Sequence, residues 1–399
     1  MTISRRSVFL IGGYDPQAAD VFFDRMAKEL QRFEATWGLS ATLSPWAVSA
    51  ADEIGTATIE VRADDWAVTT HFGHLVLDSI VLKDLARPLP VRLTRSLVAL
   101  ADYLASGTFF KIARKAWRFA LFFAYPFATL AFYAALALVA ALALGKVSPV
   151  LPVALGLLGG VLTFALLLYG PASRQRVFQL LDLWSFSRDF LRGRRPDAEA
   201  LLDRFAATIA AHAREQRPDE LILIGHSVGG ALILDIAARC LQLDPRFAEH
   251  SAHTTVMTVG SIAPALGLHP AAKAFRGRVQ ALIDDPRLAF VDIQCLIDPI
   301  NFYKCDPVAD MGLTPRLKEH PPGMPFALAR VVRIRDMLEA ATYARIKRRM
   351  LRVHYQYIFG NTKRYFYDFF MICCGPLALA ERMLGLVTGP WQALRSPPE

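Results

Sequence analysis

Cysteine is scarce in this chain and does not fall into a pattern. The five cysteines among 399 residues (Cys240, Cys295, Cys305, Cys373 and Cys374) are odd in number and show no paired metal-ligand spacing. Neither a complete disulfide framework nor a metal site is expected, and a reducing compartment fits best. The N-terminus lacks an export-signal core, because Arg5 and Arg6 precede only a short apolar run, Val8 to Ile11, which Gly12 and Asp15 interrupt. Internal repeats, long low-complexity tracts and nucleic-acid-binding motifs are also missing. The excess of 45 Lys and Arg over 36 Asp and Glu therefore points to membrane flanks and anionic lipid, with no nucleic-acid partner expected. A second basic cluster, Arg345 to Arg352, reads equally well as a solvated helix face.

Two stretches lack charge altogether. Phe119 to Leu144 and Val150 to Gly170 contain no Asp, Glu, Lys or Arg. Each reaches or exceeds the roughly 20 residues that carry a helix across about 30 Å of hydrocarbon. Residues 111–176 are thus expected to form a transmembrane hairpin with spans near 119–144 and 150–170. Pro126 and the glycines Gly156, Gly159 and Gly160 suit a helix in lipid better than one in water. The connection Gly145 to Pro149 is too short to hold a domain, so both flanking globular portions face the same side. Lys111, Arg114, Lys115 and Arg118 precede the first span and Arg174 and Arg176 follow the second, against Lys146 alone in the loop. The positive-inside rule then predicts a multi-pass protein of the inner, cytoplasmic membrane with its soluble portions in the cytoplasm.

Outside the hairpin the chain reads as an ordinary globular protein. Ser7 to Ile11 is a short strand ending in the Gly12-Gly13 turn, followed by a helical pattern from about Ala18 to Phe33. Thr58 to Val61 and Trp66 to Thr70 read as a hairpin of strands around Ala63-Asp64-Asp65. A long helix is predicted over Ala198 to Glu215, then a buried strand Glu220 to Gly225, and a helix from Gly229 to Arg239. Further strands are expected at Thr254 to Ser261, Leu288 to Ile297 and Ala327 to Ile334. A helix around Met337 to Met350 and a hydrophobic C-terminal region, residues 361–399, complete the pass. The alternation of strand and helix predicts an α/β fold with a mostly parallel sheet and right-handed crossovers.

At the end of the buried strand stands Gly225-His226-Ser227-Val228-Gly229. A serine hydroxyl is a weak nucleophile and needs both a base within reach and a backbone that exposes it. A sharp strand-to-helix turn provides the exposure, and it crowds the positions two before and two after the serine, where this chain carries glycine. The helix that follows directs its positive end, with the Val228 N–H, at any oxyanion formed beside Ser227.

These residues resemble the nucleophile elbow of the α/β-hydrolase superfamily, in the Gly-His-Ser-x-Gly form found among lipases and esterases. The resemblance covers Ser7 to about Tyr357 apart from the hairpin. It implies an α/β-hydrolase fold interrupted by two transmembrane helices, residues 1–110 and 177–360 being the parts of one hydrolase domain in a membrane-anchored, bacterial-type member. It also implies a triad in the chain order serine, acid, histidine. Asp298, at the end of the strand two units after the elbow, is the favoured acid, with Asp306 and Asp310 as rivals and Asp292 inside the strand. His354 is the favoured base and His320 the alternative. An extra helix before His354 departs from the short loop usual in the family. His226 adjoins the serine from the wrong side of the elbow to act as its base. The second oxyanion donor is expected from the loop after an early strand, here a backbone N–H of Gly13 or Tyr14 where the family often has His-Gly.

The expectation is a serine hydrolase acting on an acyl ester, thioester or lipid-like substrate at the bilayer, with no cofactor and no metal. The rival is a catalytically silent scaffold of the same fold that binds lipid or a partner. A transporter is disfavoured, because two spans without an intramembrane charge offer a polar solute no path. The sequence leaves oligomerisation open.

Overall fold

The computed structural model describes residues 2–147, 152–316 and 326–385. The chain divides into two compact units, one made of residues 1–82 and 190–399 and the other of residues 83–189. In chain order the first unit begins with β1 (Arg5–Ile11), α1 (Ala19–Trp37), β2 (Ser40–Leu43), β3 (Ala47–Ser49), β4 (Ile54–Arg62) and β5 (Ala67–Leu75), and then α2 (Asp78–Leu85). The second unit holds α3 (Leu89–Ala105), α4 (Thr108–Lys115), α5 (Trp117–Gly145), α6 (Pro152–Leu167) and most of α7 (Val177–Leu191). The first unit resumes with α8 (Pro196–Gln216), β6 (Glu220–His226), α9 (Gly229–Leu243), β7 (His253–Val259), α10 (Ala263–Gly267), α11 (Lys273–Ile283), β8 (Leu288–Gln294) and β9 (Leu328–Val331). Short helices finish it: α12 (Ile334–Met337), α13 (Ala340–Ile346), α14 (Met350–Tyr355), α15 (Phe369–Cys374) and α16 (Leu379–Leu384).

The nine strands form one mixed, mostly parallel sheet in the order β2-β4-β5-β1-β6-β7-β8-β9, with β3 also paired to β4. From β5 to β9 every neighbouring pair is parallel, whereas β2, β3 and β5 each run antiparallel to β4. All seven residues of β6 are buried, which is why this strand reads as a continuous apolar run and not as an alternation. The chain order reverses about β1: the elements that directly follow it lie on one side, and β6 to β9 lie on the other. In open α/β sheets such a switch point, at the carboxyl ends of the strands, is where ligands bind.

The apolar C-terminal stretch belongs to the core. Phe366, Tyr367, Phe369, Phe370, Ile372, Cys373 and Cys374 are buried in the same cluster as Val8, Phe72 and Ile222. A buried ion pair fastens it. Arg6 donates to Glu220 at 2.7 Å and to the carbonyls of Gly375 and Leu377 at 2.6 and 2.8 Å, while Glu220 accepts the Leu379 N–H at 2.7 Å. The hydrophobicity of this region as far as Met383 is therefore accounted for by packing, not by lipid. Residues 386–399 lie outside the described residues. All five cysteines are buried and free.

The helix expected over Met337 to Met350 is three short ones instead. Leu338 is extended, and the Met337 carbonyl accepts the N–H groups of Thr362 and Lys363, tertiary bonds that displace the next turn. The strands expected at Leu288 to Ile297 and Ala327 to Ile334 are shorter, ending at Gln294 and Val331. Residues 295–301 form a loop that matters for the site.

In the second unit, α5 runs for 29 residues, and α6 with the π turn Leu168–Ala172 runs for 21, with mean hydropathies of 2.3 and 2.1. Both are long and apolar enough to cross a membrane by length and composition, and only 11 and 17 % of their most apolar windows is buried, so neither is a core helix. They pack closely on each other. A Cβ on Gly156 would lie 2.8 Å from the Ala141 carbonyl oxygen, and one on Gly159 would lie 2.1 Å from Leu144 Cδ1. Small residues let the two backbones approach. The first turns of α5 pack inward, with Phe119, Phe122 and Phe123 around Trp184 of α7 at centroid distances of 5.8, 5.8 and 4.6 Å.

Candidate active site

The backbone of Ser227 is strained and held so. Its φ is +62°, in the left-handed region that a residue bearing a Cβ enters at a cost of about 1–3 kcal/mol. Three hydrogen bonds fix it there: the Ser227 N–H donates to the Val259 carbonyl at 3.2 Å, and the Ser227 carbonyl accepts from Gly230 and Ile262 at 3.0 and 3.2 Å. The side chain is half-buried, in contrast to the fully buried residues on either side. A turn this tight tolerates nothing larger than glycine next to it. A Cβ on Gly225 would fall 2.3 Å from the Gly229 oxygen, and one on Gly229 would fall 2.4 Å from the carbonyl oxygens of both Ile11 and Gly12.

The last of these contacts brings the end of β1 to the elbow. A Cβ on Gly13 would stand 3.3 Å from Ser227 Cβ and 3.5 Å from its Oγ, so the Gly12-Gly13 turn lies directly against the hydroxyl. Tyr14 is buried beside it, and the Gly13 carbonyl accepts the Asp15 N–H at 2.9 Å. Val228 opens α9, where an N–H has no carbonyl one turn back to bind. The Gly12-Gly13 turn and the start of α9 thus both lie beside the Ser227 hydroxyl.

The structure brings His354 and Asp298 together. His354 Nδ1 lies 2.8 Å from Asp298 Oδ2, and both side chains are almost wholly buried. Because the carboxylate only accepts, Nδ1 carries the proton and Nε2 is left with its lone pair. The carboxylate is fixed in turn: Oδ1 accepts the Ile300 N–H at 2.9 Å, and Asn301 Nδ2 donates to the carbonyls of Asp298 and Cys295 at 2.7 and 2.8 Å. The rival acids are otherwise occupied. Asp306 is exposed and accepts the N–H groups of Val308 and Ala309, Asp310 accepts the Asp306 N–H, and Asp292 bonds Thr258 and Gln294 within the sheet, where burial raises its carboxyl to about 6. His320 lies outside the described residues.

His354 also sits close to the elbow. Its Cε1 would be 3.0 Å from a Cβ on Gly260, a glycine at φ +55° directly after the Val259 that holds the Ser227 N–H. Its ring lies 4.4 Å from that of His226, the residue before the serine. His354 Nε2 is buried and makes no hydrogen bond, so the serine-to-imidazole bond is not closed in this structure. Such bonds are often long before a substrate is bound.

His226, expected on the wrong side of the elbow to act as the base, bonds the backbone that carries His354. His226 Nε2 lies 3.0 Å from the His354 carbonyl oxygen, which can only accept, so Nε2 bears the proton. Burial and the neighbouring imidazole hold His226 well below its ordinary pKa and keep it neutral. It thereby supplies a donor to the last turn of α14, whose carbonyls have no partner within the helix. Two further contacts had no signal in the sequence. Tyr355 donates to Asp15 at 2.7 Å, tying the segment that carries His354 to the β1–α1 loop. His74, buried and stacked on Phe22 with centroids 3.9 Å apart, is pushed down to about 3 by its burial. Gly12, Gly13, Asp15, His74, His226 and Tyr355 line a narrow cleft.

Among the described residues no group of three or more His, Cys, Asp and Glu side chains is arranged to hold a metal ion. Comparison with protein-family models, with curated proteins and with solved structures gives no match to this chain. What stands on the geometry alone is a mixed α/β sheet with a half-buried, strained serine at its switch point and a carboxylate-imidazole pair beside the turn that holds it.

Proposed function

We propose that this chain is a membrane-anchored serine hydrolase of the α/β-hydrolase type, cleaving an acyl ester or thioester. The observation that carries the reading is the His354–Asp298 pair, formed at 2.8 Å by residues that follow Ser227 in the order serine, acid, histidine. In this mechanism His354 Nε2 takes the Ser227 proton as Oγ attacks the acyl carbonyl. Asp298 keeps the imidazole in the correct tautomer and stabilises the imidazolium. The Val228 N–H and a backbone N–H from Gly13 or Tyr14 receive the oxyanion. His354 then returns its proton to the departing alcohol or thiol, and water activated by the same imidazole releases the acid. No step calls for a cofactor.

The strand order supports the assignment independently of the motif, since Ser227 and the Gly12-Gly13 turn follow the carboxyl ends of β6 and β1, the two strands at the switch point. We read α5 and α6 as a hairpin through the inner membrane, with the basic flanks on the cytoplasmic side. A bilayer-borne, lipid-like ester is then the substrate class closest to hand.

The test is a fluorophosphonate probe applied to the full chain in detergent or nanodiscs. Wild type should be labelled on Ser227, and Ser227→Ala should not. If folded wild type neither labels nor turns over short acyl esters, the hydrolase reading falls and a silent scaffold of the same fold is favoured.

A further inference from the structure

The amphipathic pattern of α3 is inverted. Its charged side chains point into the second unit: Arg92 pairs with Asp182 at 2.6 Å, Arg95 with Asp84 and Asp189 at 3.2 and 2.9 Å, and Asp102 with Arg188 at 2.9 Å. Ser96 is likewise buried and bonds Ser185 and the Leu181 carbonyl. Apart from Thr94, the side chains left outside are apolar. Val91, Leu97, Val98 and Leu104 are 43, 58, 44 and 39 % exposed, and they recur at helical spacing along one face. A helix bathed in water on that side would carry its charges there.

We propose that this outward face of α3, continued by Phe110 of α4, lies in a lipid bilayer interface, so that the second unit meets the membrane along α3 as well as through its two long helices. The proposal rests on the reading of α5 and α6 as spans. Three observations select lipid as the occupant. The apolar surface continues along the chain into the candidate span, through Phe110 and Trp117, which are 62 and 61 % exposed. Lys111 and Arg114, exposed on α4, place positive charge beside that surface, where anionic headgroups would sit. At 17 residues α3 is about 25 Å long, short of a full crossing and suited to lying along the interface.

Because all five native cysteines are buried, a nitroxide can be directed to new ones. Full-length Leu97→Cys and Leu104→Cys proteins would be labelled in phosphatidylcholine–phosphatidylglycerol vesicles. Collisions with oxygen and with a water-soluble nickel chelate would then be compared with those at Leu138→Cys on α5 and at the exposed Lys273→Cys. The expected result is loss of most nickel-chelate collisions at positions 97 and 104, with oxygen collisions kept, as at 138. If 97 and 104 behave like 273 while 138 is in lipid, the interfacial face is wrong and the spans stand. Shielding from both reagents, with spin-spin broadening between molecules, would mean that a second copy covers α3, and this too overturns the proposal. If 138 is itself in water, the membrane reading fails and the interfacial face fails with it.

Discussion

Replacing Asp298 by asparagine tests the candidate site most sharply, because the two carboxylate oxygens have different partners. Oδ1 accepts the Ile300 N–H and Oδ2 accepts from His354 Nδ1. Asparagine offers one acceptor and one donor group, and the Ile300 N–H cannot change its role. If the amide oxygen faces Ile300, the NH2 group faces Nδ1, which must then be the acceptor, and the imidazole proton moves to Nε2. Every hydrogen bond is satisfied, but the base is in the wrong tautomer. The opposite orientation keeps the right tautomer and sets two buried donors against each other, at a cost of about 1–3 kcal/mol. Loss of the carboxylate's charge-assisted bond to the imidazolium adds about 1.5–3 kcal/mol to the barrier. Together these come to roughly 2.5–6 kcal/mol, a fall of about 10²- to 10⁴-fold in rate at 1.4 kcal/mol per decade. The assay is the second-order rate of fluorophosphonate labelling, read alongside the melting temperature. A folded Asp298→Asn protein labelled within about threefold of wild type would show that Asp298 does not govern the base.

Arg6→Met should destabilise the first unit by about 3–5 kcal/mol, since it leaves Glu220 buried without its partner, and Arg6→Met with Glu220→Leu should recover part of the loss; a change below about 1 kcal/mol in denaturant unfolding for the single variant would count against the C-terminal fastening. The buried neutral histidines predict an acid-sensitive fold. His74 falls from 6.5 to about 3 on folding, so between those values the unfolded chain binds a proton that the native one does not, and stability drops as pH falls through that window. His74→Gln should flatten the decline between pH 6.5 and 4.5 by about 1.4 kcal/mol per pH unit, and an unchanged slope would show that His74 is not neutral in the fold.

What the sequence made legible was local. The strand before Ser227, the glycines around it and the helix after it are decided by residues within about one turn of each other, and each stands where it was expected. The parallel order was legible too, because a fully buried strand such as β6 is apolar throughout. Two things were hidden by the nature of a linear pattern. Apolar composition does not say whether its solvent is protein or lipid, so residues 365–383 read only as a hydrophobic region until the Arg6–Glu220 hook and the contacts with β1 and β5 put them in the core. In α3 the same ambiguity ran the other way, since its period reports two faces without saying which one is outside. The short edge strands β2 and β3, three to four residues with few large apolar side chains, gave no usable pattern at all.

The acid illustrates why chain order alone stops short of a site. Asp298, Asp306 and Asp310 all follow β8 and precede His354, so a rule of succession admits each of them. They differ in what their backbones must do. Asp306 is spent on the N–H groups that open the turn at Val308 and Ala309, a local duty that any short loop assigns to the nearest aspartate. Asp298 has half of such a duty, through Ile300, and its second oxygen is free to look inward because Asn301 braces the loop from behind. Leu77 and Asp78, which follow β5, line the cleft with Gly13 and His226. Asp78 accepts the Gln17 N–H at 2.7 Å, which ties the end of β5 to the loop expected to hold the oxyanion.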